Sequence, residues 1–155
     1  MNIELSLRQV EVLALELQTP LLLDGSTSVG DTIRAMREQG LGYALITVGH
    51  RLAGIFTERD VFLSVLGDTA ALSQPVSGIM ARDPVSVAED DPVWQVIVSM
   101  HEGGFRQVPV LDGQGRVVAC VRHKDIAQFL ANHFAGHVLN LPPDPEQHAH
   151  SPEGG

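Results

Sequence analysis

Gly54-Ile55-Phe56 runs into Thr57-Glu58-Arg59-Asp60, which sets a hydroxyl, a guanidinium and two carboxylates at one strand-to-helix junction. Thr57 and Asp60 have the spacing of a capping box, in which side chains satisfy the backbone N–H groups left open at a helix start. The same junction suits a second chemistry. A helix N-terminus offers N–H donors and partial positive charge to a phosphate. An aspartate beside it can accept from both hydroxyls of a ribose, Thr57 adds a hydroxyl contact, and Arg59 can reach a phosphate. That is chemistry for holding a nucleotide. No nucleophile elbow, Walker loop or paired-carboxylate motif accompanies it, so the residues argue for binding and against catalysis.

The elements that must position this junction occur twice. At an offset of 64 residues Pro20 falls on Pro84, Val29 on Val93, Met36 on Met100 and Gly40 on Gly104. One extra residue in a second turn makes the offset 65, pairing Arg51 with Arg116 and Asp60 with Asp125. Each copy opens on a short apolar run, Leu21–Leu23 or Val85–Val87. A helix follows, with Ser28 as N-cap in the first copy and Asp91 as N-cap before Pro92 in the second. Val29, Ile33 and Met36 step along one helical face, as do Val93, Ile97 and Met100. Two β-rich runs joined by a turn come next, Tyr43–Val48 with Leu52–Phe56 and Gln107–Leu111 with Val117–Val121, and a last helix closes each unit. The order is β-α-β-β-α, twice, an α+β chain. Residues 19–66 form the first repeat, 67–82 a linker and 83–135 the second repeat. Residues 1–18 read as a short N-terminal helix on Leu7, Val10, Leu13 and Leu17, and the Pro- and Gly-rich stretch 136–155 as a disordered tail.

Composition narrows the classes. With 155 residues and 44% apolar content the chain can bury a core, and no apolar run approaches the ~18 residues of a membrane span. The opening Met1-Asn2-Ile3-Glu4 lacks the basic-then-apolar order of a signal peptide. Cys120 is the sole cysteine, which excludes an intrachain disulfide and suits a reducing, cytoplasmic setting. Nineteen acidic against ten basic residues, net −9, count against nucleic acid as a partner, and no membrane partner is expected.

Gly54-Ile55-Phe56-Thr57-Glu58-Arg59-Asp60 resembles the hallmark of the CBS domain, and Phe105–Asp112 resembles that family's hydrophobic-Pro-Val strand. Val76-Ser77-Gly78-Ile79-Met80 before Pro84-Val85 is similar to its usual lead-in. The resemblance covers residues ~19–131. It implies two repeats packed sheet to sheet with pseudo-two-fold symmetry, a Bateman module, whose clefts bind AMP, ADP, ATP or S-adenosylmethionine and which pairs as a homodimer. Carried over by residue, the first cleft takes the ribose on Asp60, with Thr57 beside it and Arg59 near phosphate. Met80, Pro84, Val85, Val108 and Pro109 would wall the base, and Arg106 would meet a phosphate. The second cleft keeps Asp125 but has Ala119 for the glycine and Arg122 for the hydroxyl residue. Arg122 there either fills the sugar space or binds phosphate, with Lys124 alongside. Tyr43 either stacks on a base at this cleft or packs between the sheets, the reading a strand tyrosine favours. The second site is expected to be weaker, altered or empty.

His133, His137, His148 and His150 lack the cysteine and carboxylate companions of a zinc site and read as surface residues, and Cys120 as a buried, inert thiol. The function expected is a non-catalytic sensor of an adenine nucleotide that acts on an effector protein or on its own assembly and requires no cofactor. The competing readings are a ligand-free structural or protein-interaction module and a divalent-metal sensor.

Overall fold

The computed structural model describes residues 2–139. The chain runs through α1 (Ile3–Gln9), β1 (Leu22–Asp24), α2 (Val29–Gln39), β2 (Tyr43–Val48), β3 (Arg51–Thr57) and α3 (Glu58–Ser64). Two short 3-10 turns, Thr69–Ser73 and Val76–Gly78, lead to β4 (Ala81–Arg82). The second unit follows as β5 (Val87–Ala88), α4 (Val93–Gly103), β6 (Gln107–Leu111), β7 (Val117–Arg122) and α5 (His123–Leu139). The repeated β-α-β-β-α order is therefore present. α5 extends four residues into the stretch read as tail; the rest of that stretch lies outside the described residues.

Local chemistry explains the boundaries. Ser28 Oγ accepts from Asp31 N at 3.1 Å and starts α2, while Gly40 and Gly104 end α2 and α4 in the left-handed region at φ 63° and 66°. Gly49 and His50, both left-handed, turn β2 into β3 as a hairpin of this type requires. One expected cap differs. Asp91 does not cap α4: the helix begins after Pro92, and Asp91 Oδ2 accepts from Ala88 N at 2.8 Å. A proline at the N-cap leaves the aspartate one position too early, so it braces the turn instead.

Four strands form one sheet in the order β1-β2-β3-β4, and three form the other as β5-β6-β7. In each, the first pair is parallel and the hairpin antiparallel. The sheets meet through buried Tyr43, Leu45 and Cys120, flanked by Leu52, Ile55 and Val117. Behind each sheet lies a separate core, and the lead-in segments complete these cores crosswise. Leu7, Val12 and Leu15 join Val93, Val96, Val108 and Val121 in the second repeat. Val76 and Met80 join Val29, Ile46 and Phe56 in the first. The two exchanges use equivalent hydrogen bonds: Val12 N to Asp91 O at 2.9 Å matches Val76 N to Thr27 O at 2.8 Å. Val93 N to Val10 O at 2.8 Å likewise matches Val29 N to Gln74 O at 2.9 Å. The offset of 64 thus continues back through residues 10–18 and 74–82, so each repeat begins in a segment that packs on the other. On this framework α1 also holds Arg8 over the Trp94 ring at 5.0 Å, tying α1 to α4.

Candidate functional site

The second strand of each hairpin ends where a helix starts, and both starts share one backbone bond. Asp60 Oδ2 accepts from Thr57 N at 2.8 Å and from Thr57 Oγ1 at 3.0 Å. Its partner oxygen Oδ1 has no hydrogen bond, and no buried side-chain oxygen or nitrogen among the described residues lacks one. Oδ1 is therefore open to solvent on a half-buried residue. Arg59 stands beside it, exposed. Thr57 and Asp60 thus cap α3 through one carboxylate oxygen, and the other is not used in the cap.

The second start closes on itself. Asp125 Oδ2 accepts from Arg122 N at 2.8 Å and Nε at 3.1 Å, and Oδ1 accepts from Arg122 Nη2 at 2.9 Å. The two side chains are only 14% and 8% exposed. Both carboxylate oxygens are occupied by Arg122, in contrast to Asp60.

Met80 is buried against Gly54, and Ala81 and Arg82 of β4 pair with Ile55 and Gly54 of β3. A Cβ at Gly54 would strike the Met80 sulfur and stand 2.8 Å from the Ala81 carbonyl oxygen, so glycine is what lets β4 approach. The antiparallel register carries Pro84, half-buried, and Val85, exposed, toward the beginning of β3 and away from Asp60. Of these three lead-in residues, Met80 lies nearest the helix start.

Besides Pro84 and Val85, three expected residues of the first cleft, Arg106, Val108 and Pro109, sit elsewhere than the sequence suggested. Arg106 accepts through its carbonyl from His123 N at 2.9 Å, which places it at the start of α5 beside Arg122 and Lys124, the second junction. Val108 turns into the second core, fully buried with Val110 and Val121, and offers no wall to a ligand. Pro109 is buried opposite Cys120 on the inter-sheet side. Tyr43 takes the packing reading: it pairs with Thr57 in the β2–β3 register and, at 3% exposure between the sheets, offers no open face to a base. Burial raises the Tyr43 hydroxyl above its usual range, and the neighbouring Cys120 adds to this, as does Asp125. Burial also pushes the Cys120 thiol up to about 12, so it stays protonated and inert.

A groove of about 270 Å³ opens in the second repeat between Leu13–Pro20 and Val118 and Ala119 of β7. Leu17 and Gln18 are the counterparts of Ala81 and Arg82, but here the sheet has three strands. Where Gly54 admits β4, Ala119 carries a methyl group, and the lead-in stands off as a groove wall. The sequence reading missed Leu17, Thr19 and Pro20 as cleft residues; the 64-residue offset onto Ala81, Asp83 and Pro84 was the available signal. Among the described residues no group of three or more His, Cys, Asp or Glu side chains is placed to hold a metal ion. His133 stacks on Phe129 at 4.0 Å and its Nδ1 lies 3.1 Å from the Phe129 carbonyl oxygen; His148 and His150 lie outside the described residues, as does the side chain of His137. No helix among the described residues is long and apolar enough to cross a membrane.

The family model described as CBS domain matches residues 16–67 and 76–132. A CBS domain-containing protein of Arabidopsis thaliana, CBSCBSPB1, is 35% identical over 79 residues, half of this chain and 14% of that protein. The chain spans less than two thirds of the length of the first curated relatives it matches. The CBS domain pair of protein MJ0100, in complex with 5-methylthioadenosine and S-adenosyl-L-methionine, superposes at TM-score 0.70 with 23% identity, covering 79% of this chain and 97% of that one. A CBS domain protein from Pyrobaculum aerophilum complexed with AMP superposes at 0.69 with 22% identity, covering 79% and 99%. Both share the fold.

Proposed function

The chain belongs to the CBS domain family, with two copies of the repeat in tandem, and from that premise we propose that it is a non-catalytic regulatory module that binds an adenosine-bearing ligand at the first helix start. AMP, ADP, ATP and S-adenosylmethionine are the candidates. The observation that carries this reading is Asp60: Oδ2 is fixed by Thr57 while Oδ1 remains open to solvent. A carboxylate already oriented in this way binds a sugar diol without first reorganising. The ligands named for the two similar structures, AMP and S-adenosylmethionine, share the adenosine that such a grip would recognise.

Ligand changes output only through different affinity for two states of the molecule. The crosswise lead-ins provide a route: Met80 contacts the β3 strand that ends at Thr57, and also begins the segment entering the second repeat. Phe62, Leu63 and Leu66, exposed at 68%, 73% and 66% on and just after α3, support pairing with a second copy or with an effector protein next to the ligand site.

The test is thermal unfolding with each of the four ligands. Ligand at 100 times its Kd adds about 2.7 kcal/mol, and Asp60→Ala removes that gain. A second reading, a ligand-free interaction module, draws on Asp60 doubling as a helix cap. It is the one to adopt when no adenosine ligand raises the melting temperature while self-association persists.

A further inference from the structure

The two helix starts differ most in charge. Gly42, Thr57, Glu58, Arg59 and Asp60 carry one cation and two anions, formally −1. Their counterparts Arg106, Arg122, His123, Lys124 and Asp125 carry three cations and one anion, formally +2 with His123 neutral. In a chain of net charge −9 with ten Lys and Arg, three of those ten stand at this one junction, including its sole lysine. The backbone brings them together: the Gly42 O to Glu58 N bond of the first repeat recurs as Arg106 O to His123 N at 2.9 Å. Arg106, His123 and Lys124 are exposed, and no ion pair engages them among the described residues. Arg122 uses Nε and Nη2 on Asp125, which leaves Nη1. α5 adds the N–H groups of a 17-residue helix start.

We infer that this second junction takes a polyphosphate group, from a nucleoside triphosphate or a free inorganic chain alike, and reads its charge without gripping a sugar. Asp125 is the reason the sugar goes unread. Both its oxygens are held by Arg122 at 2.8 to 3.1 Å, so a ribose diol would have to displace a charge-assisted, largely buried pair. A polyphosphate needs no such exchange. Its several anionic oxygens meet Arg106 and Lys124 while the Arg122–Asp125 pair stays intact as a scaffold. This rests on reading both helix starts as ligand sites and assigns them different ligands: adenosine at the first, phosphate charge at the second.

The experiment is calorimetric titration of the full chain with sodium tripolyphosphate. The wild type binds, more tightly at low salt than at high. Arg106→Ala/Lys124→Ala weakens binding by about tenfold or more, since two charge-assisted contacts go. Neither side chain has a hydrogen-bond or ion-pair partner among the described residues, so folding is retained. Arg51→Ala, an exposed cation at the β2–β3 turn, leaves the affinity unchanged and controls for net charge. Excess adenosine does not compete. Absence of tripolyphosphate binding, equal affinity in the double variant, or displacement by adenosine would each overturn the assignment. ATP binding that disappears in Asp60→Ala while tripolyphosphate gives no heat also overturns it, and leaves the first-site reading standing.

Discussion

Thr57 and Arg122 hold the same place at the end of a hairpin's second strand, and each donates its backbone N–H at 2.8 Å to Oδ2 of an aspartate three residues on. Beyond that shared bond the repeats part. Thr57 reaches the same oxygen with its short hydroxyl and goes no further. Arg122 is long enough to turn back and take both oxygens. The cap needs one carboxylate oxygen, and the side chain at the cap position decides the fate of the other. A duplicated fold can thus hold its architecture through one backbone bond while one residue sets how much of each carboxylate stays free.

The largest difference between the two helix starts lies at Arg122. Arg122→Ala leaves Asp125, whose side chain is 8% exposed, without its ion-pair partner and should cost about 3–5 kcal/mol. The aligned Thr57→Ala removes a hydroxyl from a half-exposed cap and should cost only about 1 kcal/mol. Urea unfolding of the two variants checks the ratio; equal losses would mean that the two starts are equivalent after all.

The next contrast is Gly54 against Ala119. Gly54→Ala forces a methyl group into Met80 and the Ala81 carbonyl and should cost about 1–3 kcal/mol, with loss of amide protection at Arg82. Ala119→Gly relieves no clash and should cost about 0.5–1 kcal/mol through backbone entropy alone. Hydrogen exchange on both variants reports whether the glycine is what admits the fourth strand.

A smaller effect sharpens the sheet interface where the repeats meet. Cys120 ionises at its ordinary 9.0 once unfolded but at about 12 when folded. Its thiol therefore contributes stability that is whole below pH 9 and lost as pH rises from 9 toward 12, by about 1.4 kcal/mol per pH unit. The raised Tyr43 hydroxyl acts in the same direction at the upper end of that window. Cys120→Ala should flatten the fall between pH 9 and 10; an unchanged slope would place the titrating group elsewhere.

Much of this was legible in the residues. The continuous apolar, β-rich runs Tyr43–Val48 and Gln107–Leu111 match the limits of β2 and β6, because the run and its flanking turns agree there. Ser28 announced α2 through its own side chain. The crosswise exchange of lead-ins was hidden because a two-residue strand such as Ala81–Arg82 is too short to show a period, and its partner is chosen by tertiary packing. The Asp60 junction was readable from spacing, whereas the closure of Arg122 on Asp125 depends on rotamers that spacing does not report. Arg106 aligns with Gly42, which sets it at the second helix start and not at the first cleft expected for it. Val108 and Pro109 cannot both wall one cleft, because neighbouring strand residues face opposite sides.

Ligand binding through the open oxygen of Asp60 is decided by calorimetric titration of AMP, ADP, ATP and S-adenosylmethionine into wild type and Asp60→Asn. At least one ligand should bind the wild type and lose about tenfold or more in affinity in the variant. Affinities that do not change on this substitution, or four ligands that all fail to bind a folded wild type, would contradict it.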